Sequence, residues 1–124
     1  TQIAKIFKHA LEEHKAQKIK ALVFVGDALE ENADTLCHLA GKFGVFNIPI
    51  FMFQEGSDHF VMSAFRQIAL LSGGAYAPFN SGSVKELQEL LSSVAVFVAG
   101  GHEALETYEK RDGKGKSLTL QLRK

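Results

Sequence analysis

Ala21-Leu22-Val23-Phe24-Val25-Gly26-Asp27 is the stretch on which the fold turns. Its apolar residues follow one another without polar alternation, and the run extends back to Ile19, which fits a parallel strand covered on both faces. The run breaks at Gly26 and leaves an acidic side chain, Asp27, at its tip, with Glu30 and Glu31 just beyond. Ligands of open α/β sheets bind in the crevice outside the carboxyl ends of the strands. Asp27 is therefore the first candidate for chemistry.

Working outward, Thr1–Gln17 carries Ile3, Ile6, Phe7, Ala10 and Leu11 at helical spacing, with charged residues on the other faces. Asn32–Phe43 repeats the pattern with Ala33, Leu36, Cys37, Ala40 and Phe43, and Gly44 stands where a left-handed cap is expected. Ile48–Phe53 reads as a second buried strand with Pro49 near its start. Asp58–Leu71 reads as a third helix closed by Gly73-Gly74, and Ala75–Phe79 as a short third strand. Ser83-Val84-Lys85-Glu86 has the form of a capping box opening a fourth helix whose stripe runs through Leu87, Leu90, Leu91, Val94 and Val98. Short connections between alternating helices and strands predict a Rossmann-like α/β domain, a parallel sheet with helices on both faces. In the tail from 111 to 124, Arg111–Lys116 reads as a solvated loop, and Leu118, Leu120 and Leu122 alternate as in a half-buried strand, with a short helix as the competing reading.

The chain has 124 residues, 46% hydrophobic and 23% charged, enough for one domain with a single core. Fourteen basic residues balance fourteen acidic ones, so no global field draws it to nucleic acid or an anionic membrane. The single cysteine, Cys37, cannot close an internal disulfide, and no signal segment opens the chain, which favours the cytoplasm. Leu90–Gly101 falls short of the roughly 20 apolar residues that cross a bilayer. The opening inside a helical pattern, on Thr1, points to an N-terminal truncation of a larger domain.

Three segments carry a family resemblance: Thr1-Gln2-Ile3-Ala4-Lys5-Ile6-Phe7, Lys20–Asp27, and Ile68-Ala69-Leu70-Leu71-Ser72-Gly73-Gly74-Ala75-Tyr76. In order and spacing the chain resembles, over about 1–99, the C-terminal part of a von Willebrand factor type A domain of the bacterial intracellular type. The resemblance implies a metal-ion-dependent adhesion site in which magnesium sits above the sheet and a partner's carboxylate completes its shell. By position it makes Thr1 and Asp27 metal ligands. The Asp-x-Ser-x-Ser segment that supplies the remaining ligands in that family does not occur here, and Gly26-Asp27-Ala28 replaces the usual Thr/Ser-Asp-Gly turn. Two oxygen ligands do not hold magnesium against its hydration shell. No cofactor is expected in this chain alone, and magnesium only in a longer protein.

Plainer readings stand beside these. Asp27 equally fits an acceptor of amide bonds at a strand-to-helix turn, and Thr1 a helix cap. Glu30 and Glu31 fit solvated positions at a helix start. Gln54, Glu55, Ser57 and Asp58 follow the second strand on the same rim, where they either line a partner-binding crevice with Glu30 or are solvated loop residues. The five histidines lack paired metal-ligand spacing, Cys37 fits a small buried hydrophobe, and the Gly-Lys run at 113–116 lacks the Walker spacing. The resemblance implies a non-enzymatic protein-interaction module, metal-dependent only where the missing N-terminal segment is present. A generic Rossmann-like enzyme or nucleotide-binding domain is the alternative, with Asp27 as a ribose-binding or catalytic acid. If the chain starts at Thr1, the first strand lacks its usual neighbours and its open edge predicts homo-oligomers, unless the 117–122 segment covers that edge.

Overall fold

The computed structural model describes residues 2–112 and 118–122, so the expectations for Thr1 and for the loop at 113–116 lie outside the described residues. Helix α1 (Ile3–Ala16) precedes strand β1 (Leu22–Gly26), followed by α2 (Ala33–Val45), β2 (Ile50–Glu55), α3 (His59–Ser72), β3 (Ala75–Phe79) and α4 (Val84–Asp112). The strands pair in chain order, β1-β2-β3, and all run parallel, with Leu22 opposite Ile50 and Phe51 opposite Ala75.

The two βαβ crossovers step the same way across the sheet. Right-handed connections then place α2 and α3 on one face. There Leu36 and Phe43 of α2 and Phe65 and Ile68 of α3 bury against Phe24, Ile50 and Met52, joined by Ile3 and Phe7 of α1. The opposite face is covered by α4 and the tail, where Val94, Leu105, Leu118 and Leu122 enclose Phe51, Phe53, Ala77 and Phe79. Helices thus cover both faces of a parallel sheet. Central strand β2 feeds the two cores alternately, and burying each of its Ile, Phe and Met side chains is worth about 2 kcal/mol.

Helix starts are fixed by side chains. Asn32 Oδ1 accepts from the Asp34 and Thr35 amides (2.8 and 3.2 Å), and Asp58 Oδ1 from those of Phe60 and Val61 (2.9 and 3.1 Å). The capping box at α4 forms only in half. Ser83 Oγ accepts from the Glu86 amide at 3.3 Å, while the Glu86 carboxylate reaches past Ser83 to the Asn80 main-chain and side-chain amides (3.2 and 2.8 Å).

Gly73 ends α3 in the left-handed conformation (φ 78°), as expected, but Gly44 does not cap α2. It lies inside that helix, buried where a Cβ would overlap the Leu71 carbonyl oxygen, so its role is to let α2 and α3 approach. The left-handed residue after α2 is Asn47 (φ 59°). Helix α4 runs well past the stripe ending at Val98, with a break at Gly101 (φ 79°, ψ −167°), a conformation open essentially to glycine alone. The tail from 118 to 122 forms a turn and not a strand. The Leu122 amide donates to the Leu118 carbonyl at 3.2 Å, which puts both leucines on the core side and leaves Leu120 88% exposed.

Candidate functional site

At the carboxyl end of the sheet, Gly26 of β1 lies opposite Gln54 of β2, and Gln54 opposite Pro78 of β3. Asp27 and Glu55 therefore extend from adjacent strand tips at the same level. Asp27 is exposed and has no hydrogen-bond partner among the described residues. Ser57 and Glu30 are also exposed on this rim.

Most of the remaining polar side chains here hold the chain in place. Glu31 is half-buried, and its carboxylate accepts from the Ile3 and Ala4 amides at the start of α1, at 3.0 Å for Ala4. It thus fills the capping role that Gln2 leaves open. Asp58 caps α3. Glu55 accepts the Gly82 amide at 3.1 Å and ties the end of β2 to the loop after β3.

Gln54, expected on the open rim, is completely buried. Its Nε2 donates to the Asp58 carbonyl at 3.0 Å, and its Oε1 accepts the Tyr76 hydroxyl at 2.5 Å. A partner cannot reach it. The phenol it binds is pushed up from its ordinary pKa, chiefly by burial, with the Arg66 guanidinium pulling the other way. Burial likewise raises the Cys37 thiol, with a smaller push from Asp34, which fits an unreactive packing residue better than a nucleophile.

The magnesium site implied by the resemblance needs several converging oxygens. Among the described residues no three His, Cys, Asp or Glu side chains come together as a metal-binding group. Among the described residues, Asp27 belongs to no such group.

Two further features had no sequence motif to announce them. One is an open groove of about 650 Å³ along the outer side of β3, lined by Arg66, Leu70, Tyr76, Pro78, Leu120 and Gln121. Arg66 stacks 5.3 Å from the centre of the Tyr76 ring. The groove offers one fixed cation on apolar walls and no acid–base pair, because the Tyr76 hydroxyl is spent on Gln54.

The other is the contrast between the two sheet edges. Along β3, the Gln121 side-chain amide bonds both main-chain groups of Tyr76, and Pro78, the next outward-facing residue, has no amide hydrogen. The expectation that this tail segment covers the first strand is thus corrected: it sits at the far edge. Along β1, the Leu22 amide points to the carbonyl of Pro49, the residue before β2, at 3.0 Å, which turns the peptide groups of Val23 and Val25 outward. Those groups have no partner among the described residues. The Val25 side chain beside them is 41% exposed.

No protein-family model, curated protein or solved structure matches the chain. Among the described residues, no helix is long and apolar enough to cross a membrane.

Proposed function

We propose that this chain is a non-enzymatic protein-interaction module of von Willebrand A type, acting in the cytoplasm and receiving a protein partner along the outer edge of β1. What supports this reading is the open edge itself: the Val23 and Val25 peptide groups face outward with no partner among the described residues, beside an exposed valine, while the Gln121 side chain covers Tyr76 at the β3 edge. A strand laid there gains main-chain hydrogen bonds together with apolar cover, the physics of strand addition. Asp27, Glu30, Glu55 and Ser57 stand at the end of the sheet into which that edge runs and would form a polar rim to the contact. Magnesium belongs to this reading only where oxygen ligands beyond the described residues join Asp27.

The test is a photo-crosslinking side chain at position 25, activated in cells. An adduct containing a second polypeptide is the expected result, and its loss on Val23→Pro ties it to the strand edge. Failure to capture any polypeptide would overturn the reading.

A further inference from the structure

We infer that the partner held along β1 is a second copy of this chain, adding its own β1 antiparallel about a two-fold axis through Phe24. This inference rests on the reading of the β1 edge given above. The two three-stranded sheets then join into a continuous one.

The register follows from which peptide groups are open. Antiparallel pairing about Phe24 sets Val23 of one copy opposite Val25 of the other, and the reverse, so each such pair exchanges both of its N–H···O=C bonds. Every outward group of the two valines is satisfied without a slip, and the exposed Val25 side chains are covered in the same step.

Charge selects the direction. Lys18 and Lys20 lead into β1, whereas Asp27 and Glu30 follow it. Lys20 and Asp27 are exposed and have no ion-pair or hydrogen-bond partner among the described residues. Antiparallel addition lays the basic end of one strand beside the acidic end of the other, at both ends at once. Parallel addition of a second copy would set lysine beside lysine and aspartate beside aspartate. With a formal net charge of zero, no overall repulsion opposes the encounter.

The far edge determines where assembly stops. Pro78 cannot donate to a further strand, and Gln121 already occupies Tyr76, so the edge at β3 resists extension. Association through β1 is isologous and closes at two copies.

Sedimentation equilibrium on the whole chain tests this. The expected result is a dimer that becomes monomeric in Val25→Pro, which removes an amide from each copy's edge. Lys20→Glu, an exposed change that leaves the core alone, should weaken association about three- to tenfold by breaking two symmetric ion pairs. Adding Asp27→Lys to it should restore association. A monomer at every concentration overturns the inference, as does a dimer indifferent to Val25→Pro, or a double reversal that recovers nothing. The crosslink at position 25 separates this inference from the broader reading. An adduct of twice the chain mass supports both. An adduct with a different protein overturns the second copy and leaves the edge intact as an interaction surface. No adduct overturns both.

Discussion

The side-chain amide of Gln121 pairs with both main-chain groups of Tyr76, accepting from its amide at 2.7 Å and donating to its carbonyl at 3.0 Å. One side chain thus does for the outer edge of β3 what a neighbouring strand would do. Gln121→Ala should cost about 1 to 2 kcal/mol, the net value of two ordinary hydrogen bonds. It should also speed exchange of the Tyr76 amide. Urea unfolding and amide exchange measure the two effects separately.

On the other side of the same residue, the Tyr76 hydroxyl satisfies the buried Gln54 oxygen. Tyr76→Phe leaves that oxygen without its donor and should destabilise by about 1 to 3 kcal/mol at neutral pH. The alkaline limb carries a sign. Because burial raises the folded phenol's pKa, the unfolded chain loses this proton first. Stability therefore falls as pH rises through the unfolded phenol's range and toward the folded one. In Tyr76→Phe that part of the fall should disappear, which unfolding curves at a series of alkaline pH values would show.

Three glycines should respond oppositely to the same change. At Gly44 and Gly74 an added Cβ meets backbone, the Leu71 and Ile50 carbonyls respectively, so alanine at either should cost about 2 to 3 kcal/mol. At Gly41, within α2, a Cβ meets nothing within 4 Å, and alanine should stabilise by about 0.5 to 1 kcal/mol. Thermal melts of the three variants check both directions. Equal responses would contradict the close packing of α2 on α3 and of Gly74 on β2.

Glu31→Ala removes the acceptor for the first amides of α1. The expected loss is about 1 kcal/mol, that of a helix cap, concentrated in the first turn. Faster exchange at Ile3 and Ala4 with little change at Phe7 and beyond would show it, and Glu30→Ala should not reproduce it.

Much of this arrangement was legible in the sequence because apolar runs and turn residues report on local physics. The β3 limits and the end of α3 at Gly73 followed directly from residue type, whereas Asp58, expected on the rim, caps α3 instead. Gly44 did not, because glycine serves both positive φ and close backbone approach, and only the position of α3 separates the two uses. Glu30 and Glu31 are alike as neighbours, and which of them reaches α1 depends on how the loop after β1 folds back. Gln54 ends a strand buried on both faces, so its need for the Tyr76 hydroxyl arises only once β3 lies alongside. The stripe of α4 broke at Gly100-Gly101, and the leucines at 118 and 122 matched a strand by alternation and a helical turn by spacing. Asp27 at a strand tip and an open edge on the first strand were both legible, but that the tail lies along β3 and not β1 emerges only when Gln121 is seen to bond Tyr76.

The order of the strands in the sheet is their order in the chain. Each new strand finds its partner in the one made just before, so no pairing must wait for a distant segment to return. A growing chain can lay down β1, α2 and β2 as a unit and add α3 and β3 to a surface already made. Such growth keeps loop-closure costs small at each step. Refolding should be fast for a parallel sheet and should proceed by accretion from β1 toward β3.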